Sequence, residues 1–216
     1  MKIVSVNVGL PRPIQWRGRR IMTGIFKDPI EGRIQVRKLN LDGDGQADLS
    51  VHGGVDKAVY VYPSEHYPFW ERELELENLP WGSFGENLTT EGWWEDEVHI
   101  GDRFRIGTAE LVVTQPRMPC FKLAMKFDRD DIVGTFLEAG RSGFYLSVLQ
   151  EGELEAGDSM ERIHEDENGV SVVDIVRLYL DRHGEADRDL VERAVRVEAL
   201  PESWRGHLLK RLAAGR

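Results

Sequence analysis

Alternation of apolar and polar residues runs through the first three-quarters of the chain and limits what it can fold into. In Lys2–Val8, three valines face one side of an extended strand while Ser5 and Asn7 face the other. The same pattern predicts further strands over Arg33–Leu39, Lys57–Tyr62, Arg103–Ile106, Ala109–Gln115 and Phe144–Gln150. Gly and Asp residues turn the chain between these segments at short intervals. Many short strands with frequent turns predict a mainly β fold, either a barrel or a sandwich.

Two helical patterns interrupt the predicted strands. Ser64 is the predicted cap of a helix over 65–77, in which Pro68 is tolerated because it lies near the first turn. Asp128 is the predicted cap of a second helix, which Gly140 ends. These helices are too few to change the class of the fold.

The pattern changes near the C-terminus, where a charged stretch over 165–169 is typical of a linker. Three short amphipathic helices follow it, and the first begins with the capping-box spacing of Ser171 and Asp174. The predicted units are a β domain over 1–164 and a three-helix domain over 170–216. A unit of about 50 residues is a marginal independent folder, so we expect the helices to pack on the β domain or on a partner.

Composition excludes several classes of protein. Of the 216 residues, 41% are hydrophobic, which is enough for a folded core. No apolar run approaches the roughly 18–20 residues that span a bilayer, and the N-terminus lacks the pattern of a signal peptide. The one cysteine cannot form an internal disulfide, which fits a reducing compartment. We therefore predict a cytoplasmic protein that does not bind membranes.

The net charge of −10 argues against general nucleic-acid binding, but it is unevenly distributed. Residues 1–40 contain nine Lys or Arg and two Asp or Glu, a balance of +7, so the remainder carries −17. A basic segment in an acidic protein suits a small anionic ligand better than a long polyanion, which the remainder would repel. An Arg-rich, solvated strand edge is the alternative, and composition favours neither.

Cys120 is the first candidate for chemistry, and it lies in the segment Gln115–Cys120, directly after a predicted strand. Pro116 and Pro119 restrict the backbone there and predict a stiff loop that presents the thiol. Arg117 is close in sequence and would favour the thiolate, the form that ligates metals or attacks electrophiles. The alternative role, a small buried hydrophobic residue, is the usual one for a free cysteine.

A glycine pair marks the second candidate, in the segment His52-Gly53-Gly54. Glycines let backbone N–H groups approach a ligand closely and form a cradle for an anion, here flanked by His52 and Lys57. A phosphate or another oxyanion is the predicted occupant. An ordinary turn leading into the following strand is the equally supported alternative.

Two further segments are weaker candidates. Asn87 follows Gly85 and Glu86, so its side chain can point into a site, although a loop that enters a strand has the same pattern. Arg141 follows a predicted helix in a loop of small residues, where it can reach an anion. A solvated arginine at a helix C-terminus is the more common arrangement.

Calcium and zinc sites are not supported by the sequence. Asp42–Gln46 resembles the start of a calcium loop, but the twelfth position counted from Asp42 is Gly53, where an EF-hand needs Glu. The six histidines include no pair at i, i+4, and no second cysteine exists. Phosphate-binding, dinucleotide-binding and serine-hydrolase motifs are also missing from the sequence.

Taken together, these segments resemble the MOSC domain family, the domain found at the C-terminus of molybdenum cofactor sulfurases, and in particular its stand-alone YiiM-type subgroup. The matching stretches are Thr23–Lys27, Asp44–Asp48, His52–Gly54, Asp56–Tyr60, Phe84–Leu88, Gln115–Arg117 and Pro119-Cys120, with Arg141, Gly143, Tyr145 and Val148-Leu149. The resemblance covers nearly the whole chain, because this subgroup also ends in a small three-helix extension.

The resemblance implies a β-barrel related to the small barrel domain of pyruvate kinase. It also implies the molybdenum–pterin cofactor, with Cys120 as the sulfur ligand of the metal and as the catalytic residue. A thiolate suits molybdenum that is already bound by soft dithiolene sulfurs, and the pterin phosphate needs cationic or N–H partners. The candidates are Gly53, Gly54, Lys57 and Arg117 for the phosphate, and His52, Asn87 and Arg141 for the pterin pocket.

For activity, the resemblance implies an oxidoreductase that reduces N-hydroxylated compounds such as hydroxylaminopurines, with electrons from an external donor protein. The alternative function is a carrier of the cofactor or of sulfur, with a persulfide on Cys120. A third hypothesis is that the C-terminal helices dock a protein partner, for example the electron donor. The sequence leaves the oligomeric state and the physiological substrate open.

Overall fold

One large sheet of eight strands is the frame of the fold. The structure is a computed structural model that describes residues 1–48, 53–181 and 187–214. The strands in these ranges are β1 (Lys2–Val8), β2 (Arg12–Trp16), β3 (Arg19–Thr23), β4 (Asp28–Ile30), β5 (Ile34–Val36), β6 (Val59–Pro63), β7 (Leu88–Glu91), β8 (Arg103–Ile106), β9 (Ala109–Pro116), β10 (Phe144–Gln150), β11 (Gly152–Leu154) and β12 (Met160–His164). The large sheet has the order β12-β8-β9-β10-β6-β7-β1-β4, and the bounds of β1, β8 and β10 are those predicted.

The large sheet is mixed and curled. Its pairings are antiparallel, apart from the parallel pair β6 and β7. The start of β1 returns to the segment ahead of β12, where Lys2 forms a bridge with Ser159 and the Ile3 amide donates to the Asp158 carbonyl at 2.9 Å. Within the described ranges β12 and β4 remain edges, so the barrel is not closed. The mainly β class is confirmed, with an open rather than a closed barrel.

Two small sheets accompany the large one, β5 with β11 and the hairpin of β2 with β3. The hairpin is absent from the predicted strands. It turns at Arg17 and Gly18, whose φ angles of 50° and 73° are those of a two-residue hairpin turn. Such turns usually contain Asn-Gly or Asp-Gly. The Arg-Gly pair does not have this signature, so the sequence did not predict the hairpin.

Six α-helices occur in the described residues: α1 (Tyr67–Leu74), α2 (Phe121–Phe127), α3 (Ile132–Glu138), α4 (Val172–Leu180), α5 (Arg188–Arg196) and α6 (Glu202–Ala214). The capping box is confirmed, since Ser171 and Asp174 each accept the backbone N–H of the other at 3.1 Å. The prediction for Asp128 is wrong, because it ends the unpredicted helix α2 in the left-handed conformation, with φ 48°. None of these helices is both long and apolar enough to cross a membrane.

One hydrophobic cluster joins the large sheet to the C-terminal helices. It contains buried strand residues such as Leu111 together with Ile175 of α4 and Leu208 of α6. Trp204 of α6 also donates from Nε1 to Gln115 Oε1 at 2.7 Å, at the end of β9. The helices therefore pack on the β domain, while the domain boundaries at 164 and 170 stay a prediction.

A second, aromatic cluster packs α1, α2 and α3 against β6. The Tyr62 ring lies 4.7 Å from that of Phe84, and the Trp70 and Phe136 rings are stacked 5.5 Å apart. Trp70 Nε1 donates to the Tyr62 hydroxyl at 2.6 Å. Helix α2 adds Leu123 to this cluster. These contacts position the loop at residue 84 and the start of α2, which both contribute to the site.

Candidate functional site

A pocket lies where loops from distant parts of the chain meet beside β6 and β10. Its walls come from the segments 23–25, 45–47, 84–85 and 117–122 and from the two strands. The lining residues are Thr23, Gly24, Ile25, Gly45, Gln46, Ala47, Tyr60, Phe84, Gly85, Arg117, Met118, Cys120, Lys122 and Tyr145. Of the predicted site residues, the pocket therefore brings Cys120 and Arg117 together.

Three glycines let the lining loops approach closely. A Cβ atom at Gly24 would lie 2.3 Å from the Gly45 carbonyl oxygen, so these two loops pack backbone to backbone. Gly85 has φ +80°, where L residues are strained, and a Cβ there would lie 3.0 Å from Ile25 Cγ1. Larger residues at these positions would push the loops apart. The glycines were not among the candidate residues, although each belongs to a stretch that carries the resemblance.

Cys120 lies in the pocket wall, directly before α2. β9 runs to Pro116, Arg117–Pro119 has no regular structure, and Cys120 is the extended N-cap residue of α2, with φ −133° and ψ 173°. Its side chain is half-buried, and its carbonyl accepts from the Leu123 amide at 2.9 Å. The predicted loop is present but shorter than expected, because Pro116 pairs with Phe144 as the last strand residue.

Arg117 is a buried cation in the same wall. It is 6% exposed, and its guanidinium carbon lies 4.9 Å from the Phe136 ring centroid and 5.6 Å from that of Tyr60. Its Nη1 atom is buried without a hydrogen-bond partner in the described structure. A buried donor without a partner lowers the free energy of unfolding by about 1–3 kcal/mol, so this arrangement fits a ligand that provides an acceptor.

The electrostatics of the pocket favour an anion. Arg117 and Lys122 are its charged residues, and no Asp or Glu is among the described residues that line it. In a protein of net charge −10, this local balance selects for negative charge. The cavity volume of about 90 Å³ admits the end of a ligand and leaves the remainder outside.

Two tyrosines that were not candidate residues also line the pocket. Tyr60 and Tyr145 are register partners on β6 and β10, with ring centroids 5.1 Å apart. Burial raises the pKa of both phenols, and the nearby charge of Arg117 opposes the rise. Both hydroxyls therefore stay protonated at neutral pH and can donate hydrogen bonds. Tyr60 already donates to the Ser142 carbonyl at 2.9 Å.

A buried ion pair lies beside the loop that carries Gly45. Asp44 is paired with Lys27 and also accepts hydrogen bonds from the Gly9 amide at 3.0 Å and from Asn87 Nδ2 at 2.9 Å. Burial lowers the pKa of Lys27, and the charge of Asp44 opposes this. The acidic stretch around Asp44 thus has a structural role. The described residues contain no group of three or more His, Cys, Asp or Glu placed to hold a metal ion.

Asn87 and Glu86 turn into the protein interior. Asn87 Oδ1 accepts a hydrogen bond from the Tyr60 amide at 3.0 Å, while Asn87 Nδ2 donates one to Asp44. Glu86 accepts from the Gly82 amide at 2.8 Å and fixes the preceding loop. Neither side chain lines the pocket. A contact of Asn87 with the pterin stays a prediction.

The predicted anion cradle lies apart from the residues that line this pocket. Gly53 and Gly54 lead into a 3-10 turn over Val55–Lys57, and the Gly54 carbonyl accepts from the Lys57 amide at 3.0 Å. Gly54 has φ +97°, and a Cβ there would have no neighbour within 4 Å. Burial lowers the pKa of Lys57. His52 lies outside the described residues, and cofactor contacts of this segment stay a prediction.

Arg141 belongs to a separate buried network. Its Nη1 donates to His66 Nδ1 at 2.9 Å, which leaves the ring proton on Nε2, and Nε2 donates to Glu95 at 2.8 Å. Glu95 also accepts from the Gly143 amide at 2.7 Å. This network was not predicted from the sequence because its members are far apart in the chain. Arg141 does not line the pocket, and its predicted contact with the pterin stays a prediction.

Lys126 of α2 is expected to make stability depend on pH. It donates to the Ile25 and Gly82 carbonyls at 3.1 and 2.7 Å, and burial lowers its pKa from 10.5 to about 8. Between these values the folded protein holds fewer protons than the unfolded chain. The free energy of unfolding therefore rises with pH across this window, by up to about 3 kcal/mol.

Urea denaturation of wild type and Lys126→Met at about pH 7.5 and about pH 10 measures this effect. All other titrating groups are common to both proteins, so their contributions cancel in the difference. The stability of wild type relative to the variant should increase at the higher pH. An identical pH dependence in both proteins would contradict the prediction.

Two family models match the chain in succession. Residues 48–161 match the MOSC domain, and residues 170–215 match the YiiM-like, 3-alpha helix domain. Protein YflK of Bacillus subtilis (strain 168) is 43% identical over 209 residues, which is 97% of this chain and 93% of YflK. The crystal structure of YiiM from Geobacillus stearothermophilus superposes with a TM-score of 0.80 at 36% identity and covers 98% of both chains.

A third relative is much longer than this chain. A protein of Gibberella moniliformis (strain M3125 / FGSC 7600) named "Reductase" is 32% identical over 169 residues. The match covers 77% of this chain but 30% of the fungal protein.

Proposed function

The chain belongs to the MOSC domain family, with the YiiM-like three-helix domain after it, and we propose that it is a molybdenum-cofactor-dependent reductase of N-hydroxylated compounds. At the level of the family, the MOSC domain is associated with molybdenum cofactor binding and with oxidoreductase-type activity. The fungal relative named "Reductase" supports the same class of reaction.

The observation that carries this proposal is a thiol in the same pocket as a buried cation that has one unsatisfied donor. Cys120 and Arg117 both line it, and Arg117 Nη1 lacks a partner in the described structure. Molybdenum takes soft sulfur ligands, and the phosphate of its pterin needs a cationic partner. The residues present therefore fit the cofactor.

The bound cofactor would supply a soft metal with two-electron redox chemistry. Cys120 would bind the metal through its sulfur, and Arg117 and Lys122 would hold the negative charge of the ligand. The hydroxyls of Tyr60 and Tyr145 remain protonated. Because the Tyr60 hydroxyl already donates to the Ser142 carbonyl, the Tyr145 hydroxyl is the one that would donate a hydrogen bond to the N–OH group of a substrate.

Reduction of a hydroxylamine breaks its N–O bond, consumes two electrons and two protons, and yields an amine and water. The electrons need a donor outside the chain. The single cysteine excludes a four-cysteine iron–sulfur cluster, and the sequence lacks a dinucleotide-binding fingerprint. The donor is therefore proposed to be a separate flavin or iron–sulfur protein.

Purification from a host that makes the cofactor tests the proposed function. We expect about one molybdenum and one pterin per chain. We also expect reduction of 6-hydroxylaminopurine when dithionite-reduced methyl viologen supplies the electrons. Protein that contains neither molybdenum nor pterin and leaves this substrate unchanged would contradict the proposal.

The replacement Arg117→Met should lower cofactor loading at least about tenfold, because it removes the buried cation that the phosphate would pair with. It also removes the Nη1 donor, which has no partner within the described residues, together with a hydrogen bond to Tyr145. Because these two losses oppose each other, the free energy of unfolding of the cofactor-free variant should stay within about 1 kcal/mol of wild type. Molybdenum content and urea denaturation of the cofactor-free protein measure the two effects.

Arg162→Met is the matched control, because Arg162 also stacks on an aromatic ring, 4.8 Å from the Trp93 centroid, but does not line the pocket. We expect this variant to keep its cofactor and to lose stability, since the buried carboxylate of Asp102 loses an ion pair. Equal losses of cofactor in the two variants would refute the specific role of Arg117.

A further inference from the structure

Exposed apolar side chains lie beside the mouth of the pocket. Leu10 and Phe121 are 66% and 49% exposed. Phe121 lies between the lining residues Cys120 and Lys122 in the chain, and a Cβ at the lining residue Gly45 would lie 3.8 Å from Leu10 Cδ2. Large apolar side chains that are exposed together indicate an interaction site.

Cationic side chains lie among these apolar groups. Arg12 and Arg19 lie on the face of the β2–β3 hairpin that carries Thr23, are exposed and form no ion pair within the described residues. Arg17, at the turn of the hairpin, is paired with Asp130. Unpaired cations on one face of a protein with net charge −10 make that face attractive to an acidic partner.

Aromatic contacts hold the hairpin against the pocket wall. The Trp16 ring stacks on Phe121 with centroids 6.1 Å apart, and the Arg12 guanidinium carbon lies 4.7 Å from the Phe26 ring centroid. Arg12 is also the register partner of the lining residue Thr23. The apolar and cationic groups therefore continue directly from the pocket mouth. We call this the rim surface, formed by Leu10, Arg12, Arg19 and Phe121.

We propose that the rim surface docks an acidic electron-carrier protein of the flavin or iron–sulfur class. The inference rests on the proposed function, which needs two electrons from outside the chain. A carrier bound there would place its surface against the pocket that contains Cys120. Cations would steer its approach, and the exposed apolar groups would hold the complex.

The C-terminal helices are the alternative docking site that the sequence suggested. These helices also expose large apolar side chains, since Tyr179, Leu180 and Leu209 are 47%, 40% and 47% exposed. Within the described part of the chain, however, none of their residues lines the pocket, whereas the rim surface adjoins its mouth. Electron transfer to the pocket therefore favours the rim surface as the docking site.

A pair of charge reversals distinguishes these two surfaces. Arg19→Glu changes the rim surface, and Arg196→Glu is the matched control on an exposed residue of α5. The rate at which each cofactor-loaded protein reduces 6-hydroxylaminopurine is measured with reduced flavodoxin, reduced plant-type ferredoxin or reduced methyl viologen, at low and at high salt. Carrier-driven rates of the rim variant should fall about tenfold or more at low salt, because steering is lost. Its viologen-driven rate and all rates of the control should match wild type.

Binding of isotope-labelled, oxidised flavodoxin, followed by NMR, gives a second readout that does not need turnover. Wild type and control should shift its resonances at low salt, and the rim variant should not. If wild type showed no viologen-driven turnover, the proposed function would be overturned. The binding of flavodoxin would still show whether the rim surface docks a carrier. Equal binding and carrier-driven rates in the rim and control variants, or no carrier binding by wild type, would overturn the docking proposal. Self-association that only the rim variant abolishes would also overturn it, because it would assign the surface to a second copy.

Discussion

Replacing Cys120 with serine or alanine is expected to abolish molybdenum binding and to slow hydroxylamine reduction at least about a hundredfold. A thiolate is a soft ligand, whereas a serine hydroxyl is hard and stays protonated at neutral pH. The chain has no second cysteine that could replace it. Metal analysis by mass spectrometry and viologen-driven turnover of 6-hydroxylaminopurine measure the two losses.

Met118→Leu is the control for this experiment. Met118 also lines the pocket, and leucine has a similar volume, so metal content and turnover should stay within about twofold of wild type. Undiminished turnover in Cys120→Ala would refute the metal-ligand role. A persulfide on Cys120 in protein that shows no turnover would instead support the sulfur-carrier function.

The replacement Asp44→Ala is expected to lower the free energy of unfolding by about 3–5 kcal/mol, the largest stability effect that we predict. The Asp44 side chain is 0% exposed and its partner Lys27 is 7% exposed, so the variant would leave a buried ammonium without its counter-charge. The Gly9 amide and Asn87 Nδ2 would lose their acceptor as well. Because Asp44 precedes the pocket residue Gly45, cofactor loading should fall too.

Asp42→Ala is the matched control, two residues away in the same loop. Asp42 is 51% exposed and pairs with the half-exposed Arg37, so its loss should cost less than about 1 kcal/mol. Urea denaturation measures both variants. In Asp44→Ala the pKa of Lys27 should fall further, so the loss of stability should shrink as pH rises toward the normal lysine pKa. Similar losses in the two variants would contradict the role of the buried pair.

Several elements could be predicted from sequence because their signals are local. The alternation in Lys2–Val8 and Phe144–Gln150 and the Ser171–Asp174 capping box each reflect backbone geometry over a few residues. The helix Phe121–Phe127 was missed because it is short and follows two prolines closely. Asp128 illustrates the same limit, since a residue suited to begin a helix occupies the left-handed end of the previous one.

The sequence by itself determined the mainly β class, the helical C-terminus and a thiol between a strand and the next element, because each depends on residues close together in the chain. Tertiary structure alone decided which candidates meet. The contact of Gly24 with Gly45 and the parallel pairing of β6 with β7 join distant segments, and no local pattern encodes such partners. Packing therefore enclosed the local pair of Arg117 and Cys120 in a pocket and placed Arg141 in the His66 network.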